Sequence, residues 1–333
     1  MITPQPLRKG DTVAFIAPSS GLAKTFEYRV KRAENWFKSQ GFKVVYARNF
    51  WKKGFLAGTP EESAEALNEL IQDKEVRALI SLIGGEHSIQ LLRYIDFKAF
   101  RKNPKIFTGF SDITVLHLAF YTQSRVKTFY GPMILTQFGE YPEPHKYTIE
   151  YFYRAVSSQR IGKIRPTSYT DQFLDWGKYK NKKRTNYKKN HYVWIKKGEA
   201  KGELVGGCLP SILRLAGTRY FPNLKNKLLF LETPEGDKPG TPYDLERAIS
   251  DIVHLMEMEI FEKIRGLVLG IPYRYSEKMK EKLYISIKNL LGGYDFPILA
   301  NVNFGHTDPI ITIPYGALAR ISSKRNEFVI VNI

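Results

Sequence analysis

Five residues of this chain have a type and setting that could serve nucleophilic catalysis: Ser111 and Cys208 as nucleophiles, His87 and His306 as bases, and Glu232 as an orienting acid. Ser111 stands in KIFTGFSDITVLHLAFY, Lys105 to Tyr121. An apolar run, Ile106-Phe107, stops at Gly109, and Ile113, Leu116, Leu118, Ala119 and Phe120 then follow at helical spacing. A hydroxyl at such a strand-to-helix joint is exposed and sits at the positive end of a helix, which favours the negative charge that develops in acyl transfer. A serine needs a base to take its proton and a third group to hold that base. The logic is that of a nucleophile elbow, although GFSD lacks the closing glycine of G-x-S-x-G. The same position also suits a simple helix N-cap, and the serine alone does not decide between the two.

The partners must come from distant parts of the chain. Of six histidines, His306 in NFGHTDP follows a strand-like run and precedes a proline turn, where a base can face a cleft. His87 follows Gly84-Gly85 and could lie near the serine, whereas His117 sits among apolar residues and reads as a packed core residue. His145, His191 and His254 converge with nothing. Glu232 ends LLFLE, an acid straight after four apolar residues, so it is either solvated at a strand end or held to orient a histidine. The backbone N–H of Asp112 is a natural oxyanion donor. The Gly84-Gly85 turn could supply a second one, because glycine lets backbone approach a substrate. Cys208, after Gly206-Gly207, is the weaker nucleophile candidate, since a lone cysteine more often packs as a small apolar group.

These residues need a scaffold that gathers strand ends. DTVAFIAPSS reads as a buried strand, LAKTFEYRVKRAENWFKSQG as a helix stopped by Gly41, and FKVVYAR as the next strand. That order implies parallel pairing. In TPEESAEALNELIQD, Thr59 is placed to cap, Pro60 to open the helix and Glu62 to complete a capping box. VRALISLIGG is a strand, and SIQLLRYIDFKAFRKNP reads as helix. An open parallel α/β domain of flavodoxin-like kind is expected, with its site beyond the carboxyl ends of the strands. Residues 1–150 make this domain, and 151–200 a linking helix, TIEYFYRAVSS, and a basic loop. Residues 201–333 make a smaller α/β domain rich in strand, with GELVGGCLPSILRLAG as strand, Gly-Gly turn and helix, and DPIITIPYGALARISS and EFVIVNI as hairpin material.

Composition narrows the classes. The 333 residues are 43% hydrophobic and 25% charged, an ordinary globular balance. A single cysteine excludes an intrachain disulfide and a cysteine-based zinc site, and a reducing, cytoplasmic setting is expected. No apolar stretch approaches the length of a membrane span, so no membrane partner is expected. The net charge is +18, and Lys178–Lys201 holds ten Lys/Arg against one Glu, or +9, half of it. Tyr179, Tyr187, Tyr192 and Trp194 interleave with those charges. The segment reads as a solvated loop, as a receptor for an anionic small substrate, or as a nucleic-acid surface, in that order of preference.

Taken together the segments resemble the LD-carboxypeptidase family of serine peptidases, which includes the microcin C immunity proteins. The likeness runs through LRKGDTVAFIAPSSG, LIGGEHSIQLLRYIDF, NPKIFTGFSDITVLHLAFY, FYGPM, GELVGGCLPSILRLAGT, LLFLET and NFGHTDPIITIPYGA. It implies a Ser-Glu-His triad of Ser111, Glu232 and His306 in the cleft between the domains, and an oxyanion hole at Gly85 and Asp112. It also implies a homodimer and no metal or other cofactor. Murein members remove a terminal D-alanine from a tetrapeptide; immunity members hydrolyse the amide that joins an aminoacyl group to a modified adenylate. IGG in place of RGG at Gly84-Gly85 looks like the immunity type. So does FLDW, where Trp176 matches an aromatic that lies near the substrate. The resemblance thus implies a small peptide or peptidyl-nucleotide substrate, with Gly84, Trp176 and Cys208 among the binding residues. Cys208 departs from the family's usual Asn, whose paired amide hydrogen bonds a thiol cannot make.

Overall fold

The structure is a computed structural model that describes residues 1–332. The first half alternates strand and helix: β1 (Thr12–Ile16), α1 (Glu27–Ser39), β2 (Lys43–Tyr46), α2 (Pro60–Gln72), β3 (Val76–Ser81), α3 (Phe97–Lys102), β4 (Ile106–Gly109), α4 (Thr114–Ala119), β5 (Phe129–Tyr130) and α5 (Lys146–Val156). The second half contains β6 (Gly162–Ile164), β7 (Val193–Lys196), β8 (Glu199–Cys208), α6 (Leu209–Leu213), β9 (Lys227–Glu232) and α7 (Leu245–Glu257). It continues with β10 (Gly266–Gly270), α8 (Glu277–Leu291), β11 (Ile298–Val302), β12 (Ile313–Pro314), β13 (Leu318–Ser322) and β14 (Glu327–Asn332).

The first sheet has the order β2-β1-β3-β4-β5-β12, with the first five strands parallel. This is the flavodoxin-like order. Val13–Ile16 of β1 and Ala78–Ser81 of β3 are buried throughout, which is why these stretches are apolar up to the closing Ser81. The capping box at α2 forms as expected: Glu62 N donates to Thr59 Oγ1 and Thr59 N to Glu62 Oε2. The second sheet has eight strands, β6-β14-β13-β8-β9-β10-β11-β7, with a parallel centre, β8 to β11, and antiparallel flanks. Among the described residues no helix is long and apolar enough to cross a membrane.

Four local readings differ from the structure. The stretch after Gly85 is not one helix but a short turn of 3-10 helix, Ser88–Leu91, followed by α3, because the Asp96 carboxylate caps a new start at Ala99 N, 2.8 Å away. Gly206-Gly207 is not a turn; β8 runs through it to Cys208. A Cβ at Gly206 would lie 1.8 Å from the Phe230 carbonyl oxygen, so glycine is what lets β8 and β9 pair there. Ile313-Pro314 does not join a C-terminal hairpin but crosses to the first sheet as β12, antiparallel to β5. Residues 151–200 supply, besides α5, both outer strands of the second sheet, β6 and β7.

Candidate active site

The carboxyl ends of β1, β3 and β4, neighbours in the first sheet, bring together Ser19-Ser20, Gly84-Gly85 and Ser111. Ser111 follows β4 with φ +63°, the left-handed region that a non-glycine residue enters only at a cost of about 1–3 kcal/mol. The sharp turn aims its side chain out of the helix start, and no side-chain capping bond forms there. Opposite, in the second sheet, Glu232 is the last residue of β9, and the loop after β11 carries His306.

The three residues meet across the cleft. Ser111 Oγ is 3.2 Å from His306 Nε2, and His306 Nδ1 is 2.8 Å from Glu232 Oε2. The second carboxylate oxygen, Oε1, accepts from Tyr130 Oη at 2.6 Å. Glu232 is therefore not solvated: it is 3% exposed and held from two sides. With Nδ1–H donated to Glu232, Nε2 is free to accept the serine proton. Burial opposes a charge on His306, but the charge and hydrogen bond of Glu232, with Glu235 and Asp308, outweigh it and raise the imidazole pKa. Burial first, and then the Glu232 charge, push the Tyr130 hydroxyl well above its ordinary value, so it remains a donor.

The oxyanion candidates lie beside the serine. A Cβ at Gly84 would stand 2.7 Å from Ser111 Cβ and 2.8 Å from its Oγ. Gly84→Ala is thus expected to displace the hydroxyl and cut kcat/KM by on the order of 10²-fold with a smaller loss in melting temperature; steady-state rates and a thermal melt check both. Asp112 is fixed by its side chain. Its Oδ2 accepts from Ser19 Oγ at 2.7 Å and Ser88 N at 2.9 Å, and its Oδ1 from Arg214 at 3.2 Å. Arg214 comes from the far domain and also reaches Glu86 at 3.1 Å.

The other candidates fall as follows. Cys208 is 1% exposed, pairs with Glu232 in the β8–β9 register, and donates its backbone N–H to Thr114 Oγ1 at 3.1 Å. Burial, then the Glu232 charge, push its thiol well up. Trp176 lies on the start of α1, its ring 4.4 Å from the Arg29 guanidinium and 5.3 Å from Phe26. His117 is a packed core residue: its ring nitrogens reach Thr128 Oγ1 and the Gly109 carbonyl, and burial lowers its pKa to about 3. His87 packs on Phe55 beside the Gly84-Gly85 loop. No local signal singles out Tyr130, Ser88 or Arg214, although each lies in a segment that carries the family likeness, FYGPM, LIGGEHSIQLLRYIDF and GELVGGCLPSILRLAGT; Ser19 stands at a strand end that the sequence does mark.

Comparison with known proteins agrees with this architecture. Residues 13–131 match the LD-carboxypeptidase N-terminal domain and residues 201–321 the LD-carboxypeptidase C-terminal domain. A carboxypeptidase-named protein of Vibrio cholerae is 31% identical over 98% of this chain and 97% of its own. The microcin C7 self-immunity protein of Escherichia coli is 29% identical over 93% of this chain and 90% of its own. Among solved structures, a microcin-immunity-like protein from Bacillus anthracis superposes with TM-score 0.91 at 32% identity over 100% of both chains. The microcin C7 self-immunity protein in complex with aspartyl sulfamoyl adenosine does so with TM-score 0.91 at 27% identity, over 100% of this chain and 99% of that one. The chain belongs to the LD-carboxypeptidase family and is a serine peptidase.

Proposed function

We propose that this peptidase hydrolyses the amide between an aminoacyl group and a nucleotide-like leaving group, with Ser111 as nucleophile, His306 as base and Glu232 as its orienting acid. The observation that carries the catalytic part is the continuous hydrogen-bonded chain Tyr130–Glu232–His306–Ser111 across the domain boundary. His306 Nε2 takes the Ser111 proton as Oγ attacks the carbonyl carbon. The oxyanion is met by the backbone N–H groups of Gly85 and Asp112. The C–N bond breaks, His306 returns the proton to the leaving nitrogen, and an acyl-serine ester remains. Water, deprotonated by the same imidazole, releases the acid and restores Ser111.

The substrate reading rests on whole-chain likeness to immunity proteins, one solved with aspartyl sulfamoyl adenosine and one with AMP. It also rests on the basic loop, whose Arg184 reaches Asp308, two residues beyond His306. A second reading has its own support: a Bacillus subtilis protein named for murein peptide carboxypeptidase activity is 28% identical over 98% of this chain. Mass spectrometry of reactions with aspartyl sulfamoyl adenosine and with a muropeptide tetrapeptide separates the two. Cleavage of the first alone is expected; release of D-alanine alone would replace this reading with the murein one. Nucleic-acid binding is the weaker alternative, because Arg184, Lys188 and Lys196 of the basic segment already hold intramolecular partners.

A base with a raised pKa also sets the working range. The acidic limb of kcat/KM is expected above the ordinary imidazole value of about 6.5. A pH–rate profile checks this, and a limb below that value would count against His306 as the base.

A further inference from the structure

The basic loop contains one charge that is not solvated. Arg184 lies 2.7 Å from both Glu140 Oε2 and Asp308 Oδ2, and all three side chains are nearly buried. Glu140 also receives Arg29 at 3.3 Å, so the cluster holds two cations and two anions. Asp308 stands two residues beyond His306. Its Oδ1 accepts from Gln137 Nε2 at 3.0 Å, and its backbone exchanges two hydrogen bonds with Thr170, at 2.7 and 3.0 Å. Gln172 Oε1 in turn accepts from the backbone N–H of Thr185 and Asn186, the residues just after Arg184. One guanidinium thus ties together the N-terminal domain, the loop and the segment that carries His306.

We propose that Arg184 is a positioning residue for the reaction: through Asp308 it fixes the His306 loop against the first domain and neutralises the carboxylate nearest that histidine in sequence. The inference rests on the reading of Ser111 and His306 as nucleophile and base. Without Arg184, Glu140 keeps Arg29, but Asp308 keeps only the Gln137 amide and the neighbouring His145. Arg184 differs from the other charges of its segment, which are mostly exposed lysines: its Nη2 alone meets both carboxylates, and a weakly hydrated guanidinium keeps its charge on leaving water. His306 faces Glu232 and Glu235 from the β9 side, Asp308 from its own loop, Ser111 and Phe110 from the first domain, and Tyr273 from the segment after β10. Burial would raise the Asp308 pKa, but Arg184, His145 and Gln137 hold it below the ordinary carboxylate value, so it is an anion at neutral pH. An uncompensated anion there stabilises the imidazolium and raises the pH at which His306 becomes a free base.

The test uses a fluorophosphonate probe, in which the serine oxygen attacks phosphorus and fluoride leaves, so no substrate identity is assumed. Labelling rates are followed by intact mass against pH for the wild type and the Ser111→Ala, Arg184→Ala, Asp308→Asn and Arg184→Ala/Asp308→Asn variants. Arg184→Ala is expected to lower the plateau rate by about tenfold or more, through misplacement of the base. Its acidic midpoint moves to higher pH; that of Asp308→Asn moves to lower pH, and adding Asp308→Asn to Arg184→Ala removes the upward shift. A merely structural role would lower the rate with the midpoint unmoved, and that result, or a wild-type rate in Arg184→Ala, overturns the proposal. If Arg184→Ala does not fold, Asp308→Asn, an isosteric change, decides: an unmoved midpoint overturns it. Wild-type labelling that survives Ser111→Ala, or no labelling at all, overturns the nucleophile reading and this inference with it.

Discussion

Ser111→Ala is expected to abolish turnover, with a loss in kcat of at least about 10⁴-fold, and to leave the fold intact. The loss is large because the hydroxyl is the atom that the rest of the site prepares. His306 Nε2 faces it at 3.2 Å, Gly84 leaves room for it, and the left-handed backbone at φ +63° aims it. The fold survives because the hydroxyl caps no helix. Backbone strain gives a further check. Alanine is as strained as serine in that conformation, by about 1–2 kcal/mol, whereas glycine is not. Ser111→Gly should therefore be equally inactive and melt higher than Ser111→Ala. Product analysis and paired thermal melts measure both. Turnover in Ser111→Ala within tenfold of the wild type would remove Ser111 from the mechanism.

The second large effect is that of Glu232→Gln, for which kcat is expected to fall by on the order of 10³–10⁴-fold. The carboxylate accepts two hydrogen bonds at once, from Tyr130 and from His306 Nδ1. Glutamine has a single acceptor oxygen. If that oxygen keeps Tyr130, the amide NH₂ faces Nδ1 and forces the proton onto Nε2, where it blocks acceptance from Ser111. The pH profile should move as well. Burial by itself lowers the pKa of His306, and Glu232 is the main group that raises it. Removing the charge shifts the acidic limb of the residual activity to lower pH. Stability follows the same sign. The raised pKa contributes stability that is fully present below the ordinary imidazole value and is lost as pH rises through the folded one. The wild type should thus exceed Glu232→Gln in stability most at acidic pH, with the gap narrowing toward alkaline pH. Urea titrations at a series of pH values measure it, and a gap that widens as pH rises would contradict the pairing.

Much of the architecture is legible in local pattern. Apolar runs alternating with helical periodicity announce a parallel sheet, and Thr59, Pro60 and Glu62 announce the start of α2, because these signals act within a few residues. The motifs around Ser111, Glu232 and His306 are local too, and each names a candidate. Their mutual reach is not local. Ser111 and His306 are 195 positions apart, and His306 and Glu232 are 74 apart, so no spacing rule brings them together. A glycine pair such as Gly206-Gly207 looks the same whether it turns the chain or lets two strands approach. The partner strand, absent from the local sequence, makes the difference. Charges show it best. In the sequence Arg184 is one basic residue among ten in a solvated run, and Glu140 and Asp308 are ordinary acids 44 and 124 positions away. Composition determined that this segment is basic. Only the packing of two domains around it decided which of its charges is buried, because the cost of leaving water is set by what meets the charge in space.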